Sequence, residues 1–167
     1  YKNDDTERNI TVSTCGVVPR IYELMNLNLQ LTLTISLHAP NDEIRSNTMP
    51  INNKYKIDEL LSACRKYGEK TGRRVSFEYT LIKDVNDSKE NALELATRLK
   101  GMNAHVNLIP VNDVKERGNI KSSKKAILNF QNILKKNGIN ATIRRTLGAD
   151  INASCGQLRR LKNRGEN

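Results

Sequence analysis

Apolar and polar residues change period along this chain, and the changes mark out alternating strands and helices. Leu31 to Leu37 (LTLTISL) alternates at period two and is rich in Thr, Ile and Leu, which predicts a strand. Short β-rich runs at Ile10 to Ser13, Val75 to Ile82, His105 to Ile109 and Ala141 to Arg145 predict four more. Helical periodicity fills the gaps. Ile57, Leu60, Leu61, Cys64 and Tyr67 share one face of a helix predicted over 57–70, with Asp58 and Glu59 in its first turn. Ala92, Leu95, Ala96 and Leu99 do the same over 88–99, where Ser88 is the expected cap and Gly101 follows the end. A helix over 122–136 carries Ile127, Phe130, Ile133 and Leu134 and stops at Gly138, and a short one over 18–25 begins beside Pro19.

A β-α-β-α order with right-handed crossovers implies a parallel sheet with helices outside it. Five strands cannot close an eight-stranded barrel, so the expected α/β fold is either an open sheet or the later part of a barrel. Either way, function belongs at the carboxyl ends of the strands. The segments expected there are Ser13-Thr14-Cys15-Gly16, Ser36-Leu37-His38-Ala39-Pro40, Lys83-Asp84-Val85-Asn86-Asp87, Pro110-Val111-Asn112-Asp113 and Thr146-Leu147-Gly148. Hydroxyls, amides and one histidine therefore gather on a single rim. Residues 113–123 (DVKERGNIKSS) read as a polar, mobile loop, and the chain has no internal repeat.

Composition narrows the class. The 167 residues suit one domain or a large part of one, and only 37% are hydrophobic, with no run of membrane-span length and no visible signal peptide. The first residue is Tyr1, not Met, so an N-terminal portion is expected to precede it. Three cysteines do not make a disulfide framework, and a reducing cytoplasm is the simplest location. Charge is uneven: residues 1–113 hold 15 basic and 15 acidic side chains, whereas 114–167 hold 13 basic and 3 acidic, which is the whole net charge of +10. A basic surplus at one end points to a polyanionic partner such as a nucleic acid, or else to a solvated tail. Lys121, Lys124, Lys125, Arg144 and Arg145 are the candidate phosphate contacts.

Cys155 stands among small and amide residues just after a basic pair, in Ala149-Asp150-Ile151-Asn152-Ala153-Ser154-Cys155-Gly156. Taken by itself, a lone cysteine is more often a buried structural residue than a nucleophile. The same holds for Cys15, a small residue at a strand end, and for Cys64, on an apolar helix face. A strand-end histidine such as His38 is likewise more often a satisfied structural residue than a ligand, and His105 has no motif around it.

The segments STCGVVP (13–19), SLHAPNDEIR (36–45), MPIN (49–52), VNDS (85–88), VNLIPVN (106–112) and GADINASCGQL (148–158), in this order, resemble the RlmN/Cfr family of radical S-adenosylmethionine RNA methyltransferases. The resemblance spans nearly the whole chain and is closer to the adenine-C2 (RlmN) branch than to the adenine-C8 (Cfr) branch. It implies the C-terminal part of a radical-SAM (partial TIM-type β/α) barrel, comprising residues 1–158 with the cysteine loop, followed by a basic tail over 159–167. By the same resemblance, Ser13, Ser36, Leu37, His38 and Asn112 contact S-adenosylmethionine.

Adenine C2 is electron-poor, so direct alkylation fails there. The resemblance makes Cys155 the carrier that accepts the methyl group and passes it on by radical chemistry, with a second, upstream cysteine releasing the product. The implied partners are 23S rRNA, tRNA as a second substrate, and an electron-donor protein, with no membrane, for a cytoplasmic monomer. The family's CxxxCxxC motif, whose thiolates hold a [4Fe–4S] cluster, is not in this sequence. No residue of this chain is therefore expected to bind metal, and the chain alone is expected to be inactive. The alternatives are adenine-C8 methylation and a non-catalytic α/β RNA-binding module. An enzyme for a phosphorylated metabolite is disfavoured, because no Gly-rich phosphate loop is present.

Overall fold

The computed structural model describes residues 10–111 and 121–145. The strands are β1 (Thr11–Thr14), β2 (Thr32–Ser36), β3 (Val75–Leu81), β4 (Ala104–Pro110) and β5 (Asn140–Ile143). The helices are α1 (Val18–Asn26), α2 (Asp42–Thr48), α3 (Ile57–Thr71), α4 (Lys89–Leu99) and α5 (Lys124–Lys136). All five predicted strands are present, each within about two residues of its expected bounds. Helix α2 and the short 3-10 turn that follows it, Pro50–Asn53, were not expected. Their seven and four residues are too short to show a hydrophobic period. A local signal does exist: Asn41 caps α2 by accepting from the Ile44 N–H at 3.0 Å, and Asp42 and Glu43 fill the first turn.

The sheet is fully parallel and its spatial order is the chain order, β1-β2-β3-β4-β5. Successive crossovers of one hand then put every helix on the same side. That is the winding of a barrel sector, not of an open doubly wound sheet, which resolves the two expected architectures. The helix-covered side is apolar. Leu33, Ile35, Val75, Phe77, Tyr79, Leu81, Val106 and Leu108 are buried against Ile21, Leu60, Cys64, Tyr67, Leu95, Leu99, Phe130 and Leu134. Each fully buried aliphatic or aromatic side chain contributes on the order of 1.5–3 kcal/mol.

The opposite side is polar. Strand parity and register align Ser13 with Thr34, Thr34 with Ser76, Ser36 with Glu78, Glu78 with Asn107 and Asn107 with Thr142. This concave-type face carries no helix among the described residues. No described helix is long and apolar enough to cross a membrane.

Ser88 caps α4 as expected, in a reciprocal capping box with Asn91. Helix α5, expected from residue 122, begins at Lys124 with Ser123 as its cap, which accepts from the Ala126 N–H at 3.1 Å. Ser122 is instead buried and donates to Asp87 at 2.7 Å.

Candidate functional site

Parallel pairing brings the carboxyl ends of the five described strands to one edge, where the predicted rim segments 13–16, 36–40 and 83–87 lie; residues 112–113 and 146–148 are outside the described residues. Two buried polar side chains, Arg45 in the segment SLHAPNDEIR (36–45) and Asn86 in VNDS (85–88), shape that rim. Arg45 is fully buried. Its Nη2 donates to the Cys15 carbonyl at 2.6 Å and the Ser36 carbonyl at 3.1 Å, its Nε to the Leu37 carbonyl at 3.1 Å, and its Nη1 to Asn52 Oδ1 at 3.2 Å. Burial pulls this guanidinium below its ordinary value, and the four acceptors offset the loss of water.

Asn52 in turn donates to Asp42 Oδ1 and Ser46 Oγ, both at 2.9 Å. Asp42 accepts from the Ile57 N–H at 2.9 Å and so caps α3, whose own N-cap, Lys56, makes no side-chain bond. A burial penalty on Asp42 is outweighed by the Ile57 and Asn52 hydrogen bonds and by Lys56 and Arg98, which hold its carboxyl below the usual range. Gly16 lets the chain pass beside this clamp. Its φ is +107°, and a Cβ there would sit 2.9 Å from Leu60 Cδ2 and 3.2 Å from Arg45 Nη2.

Asn86 is the second node and is 1% exposed. Its amide donates to the His38 carbonyl at 2.9 Å and the Thr80 carbonyl at 2.8 Å, while its Oδ1 accepts from the Ile82 N–H at 2.8 Å. Its own carbonyl accepts from the Tyr79 hydroxyl at 2.7 Å. Held this way, His38 adopts a left-handed backbone with φ +58°. Its Nδ1 accepts from the Thr80 N–H at 3.0 Å, so the ring's proton resides on Nε2. Burial, opposed by Glu78 and aided by Arg45, lowers its pKa to about 4. His38 is thus a neutral ring with one hydrogen-bond donor to offer. Among the described residues nothing meets that donor.

Of the residues singled out in the sequence, Ser13, Ser36, Leu37 and His38 stand together along the ends of β1 and β2. Ser13 is exposed, Ser36 and His38 are half-buried, and the Leu37 side chain is fully buried, so only its backbone can face a ligand. Asn112 and Cys155 lie outside the described residues, as do the tail over 159–167 and most of the loop over 113–123.

Cys64 is core, as expected, and burial pushes its thiol up to about 12. Cys15 is half-buried, with its carbonyl committed to Arg45. His105 pairs through Nε2 with Thr142 Oγ1 at 2.9 Å on the polar face. Lys121, Lys124, Lys125 and Arg145 are exposed, which suits phosphate contacts. Arg144 departs from that set: its Nη2 meets Glu78 Oε1 at 2.9 Å.

Sequence reasoning did not single out Arg45, Asn52, Asn86, Glu78 or Asn107. The available signal was an arginine and two asparagines inside short polar segments next to strand ends, which periodicity does not weigh. The donors and acceptors left open on the rim among the described residues, namely the His38 Nε2–H, the Ser36 hydroxyl and the Asn107 amide, suit a ribose, an adenine edge or an amino-acid moiety. Metal is another matter. Among the described residues no three His, Cys, Asp or Glu side chains cluster, and the three cysteines of the sequence, Cys15, Cys64 and Cys155, are far apart in the chain. These residues do not fit an iron–sulfur cluster.

The radical SAM superfamily pattern matches residues 2–96 of the chain. The probable dual-specificity RNA methyltransferase RlmN of Lachnospira eligens is 59% identical over 154 residues, which cover 92% of this chain and 44% of that protein. Its counterpart from Alkaliphilus oremlandii is 61% identical over 153 residues, covering 92% and 45%. The chain therefore spans less than half the length of the curated relatives it matches. A crystal structure of a radical SAM methyltransferase from Sphaerobacter thermophilus superposes with a TM-score of 0.84 at 51% identity, over 90% of this chain and 44% of that one. A domain of a pyruvate-formate lyase-activating enzyme from Bacteroides vulgatus shares the fold, with a TM-score of 0.64 at 20% identity.

Proposed function

Because the chain belongs to the radical SAM superfamily, we propose that it is the carboxyl-terminal part of the barrel of an RlmN-type RNA methyltransferase, acting on C2 of an adenine in 23S rRNA and in tRNA. The observation that carries this reading is the identity of about three residues in five, sustained over nine-tenths of the chain, with proteins named as RNA methyltransferases of that type. Residues 1–158 form the barrel portion with its cysteine loop, and 159–167 a basic tail. The protein is a cytoplasmic monomer that receives electrons from a donor protein.

Ser13, Ser36, the Leu37 backbone, His38 and Asn112 hold S-adenosylmethionine on this reading. When bound, it supplies the one-carbon unit and the radical chemistry for which the superfamily is named. The chain's own residues orient it. His38 donates from Nε2, and because Nδ1 is committed to Thr80 it neither takes nor gives a proton near neutral pH. Arg45 and Asn86 fix the strand-end carbonyls so that the donors beside them point onto the polar face. Cys155, as thiolate, forms the new sulfur–carbon bond when the methyl group leaves the sulfonium, and so becomes an S-methylcysteine.

Deleting the encoding gene and quantifying methylated adenosines in rRNA and tRNA by mass spectrometry tests the reading. Loss of 2-methyladenosine, restored by the wild-type gene and not by Cys155→Ala, is the expected result. Unchanged 2-methyladenosine overturns it, and loss of 8-methyladenosine instead assigns the other branch.

A further inference from the structure

Glu78 is the only carboxylate on the polar face of the sheet among the described residues, and it stands in the middle of the candidate ligand site. It lies in register between Ser36 and Asn107. Its carbonyl accepts from the Leu37 N–H at 3.0 Å and the His38 N–H at 3.2 Å, so the strand that carries it is bonded directly to the proposed ligand-binding tripeptide. One carboxylate oxygen, Oε1, is held by Arg144; among the described residues no partner meets Oε2. The side chain of Glu78 is 27% exposed against 45% for Arg144, so the negative member of the pair is seated deeper and the positive member is more screened by water.

A negative group with an open oxygen, set in a row of neutral hydroxyl and amide groups, is complementary to a cation. Resting on the proposal that S-adenosylmethionine binds here, we infer that Glu78 is a specificity residue that distinguishes the cationic sulfonium from the neutral thioether of S-adenosylhomocysteine. The sulfonium carries a permanent charge and has no proton to donate, so a nearby carboxylate recognises it by charge alone. The α-ammonium and α-carboxylate are common to both molecules and cancel in a comparison of the two. Arg144 then acts as the restraint on that selectivity. It holds the Glu78 carboxylate in place and partly offsets its field.

The test is binding of both compounds, by calorimetry, to the intact protein as the cell makes it. Glu78→Gln keeps the shape and a hydrogen-bonding oxygen for Arg144 but removes the charge. It is expected to weaken S-adenosylmethionine by about fivefold, the upper end for a partly exposed charge pair, and to leave S-adenosylhomocysteine within about twofold. Arg144→Gln is expected to move the ratio the other way, raising the preference for the sulfonium. Equal weakening of both ligands by Glu78→Gln, or an unchanged ratio, overturns the inference and leaves the binding site standing. The same direction of change in both variants assigns the pair a structural role and also overturns it. If the wild-type protein binds neither compound, the site assignment itself fails.

Discussion

His38 shows how one side chain's surroundings set its chemistry. The Thr80 N–H on Nδ1 fixes the tautomer, and burial holds the ring's pKa at about 4 against an ordinary 6.5. The unfolded chain therefore binds a proton at a higher pH than the folded one. The stability this histidine contributes is complete above about pH 6.5 and is lost as pH falls toward 4, by on the order of 3 kcal/mol at 1.36 kcal/mol per pKa unit. Urea denaturation at pH 7 and pH 4.5 should show a fall that is much reduced in His38→Asn, since Asn tolerates the left-handed backbone and does not titrate. An equal fall in the variant would assign the acid sensitivity to other groups.

At the scale of elements, the barrel sector is tied together by a cation that has no carboxylate hydrogen-bonded to it among the described residues. Arg45, on α2, bonds the end of β1 through Cys15 and the end of β2 through Ser36 and Leu37, and reaches Asp42 and the start of α3 by way of Asn52. Removing it leaves three carbonyls without these donors, each costing about 1–3 kcal/mol where buried. Arg45→Met is expected to lower the unfolding free energy by about 3–5 kcal/mol. Arg20→Met breaks an exposed pair with Glu23, whose side chains are 74% and 60% exposed, and should cost less than about 1 kcal/mol. Comparable losses in the two variants would remove the clamp from the account. The short α2 exists to deliver this residue, which is why an element too brief to show a period matters more to the site than the longer α3.

Across the whole molecule, the charge balance is zero over 1–113 and +10 over 114–167. Lys121, Lys124, Lys125 and Arg145 are exposed, and among the described residues none of them enters an ion pair. On the proposed reading, binding of an RNA stem-loop should weaken as salt rises, with a log–log slope of about −2 to −4 for three to six phosphates met. Fluorescence anisotropy from 50 to 300 mM salt measures it. Replacing Lys121, Lys124 and Lys125 with Gln together should flatten the slope, and an unaltered slope would make that surface a solubilising one.

Local pattern was enough to identify the five strands and four of the five helices of the described residues, the Ser88 cap and the buried face of each long helix, because period, capping and propensity act over three or four residues. It also placed Ser13, Ser36 and His38 at strand ends, where a parallel sheet collects its chemistry. What it could not supply was partnership at a distance. Arg45 meets Cys15 from 30 residues away, Asn86 meets His38 from 48, and Arg144 meets Glu78 from 66. The first two contacts clamp the strand ends, the third pairs two charges at the rim, and the Thr80 N–H, 42 residues along from His38, chooses the tautomer of that ring. They exist only once the sheet has wound in one direction and buried its other face, so the residues proposed to carry ligand chemistry were legible in sequence while their orientation was decided by the tertiary structure.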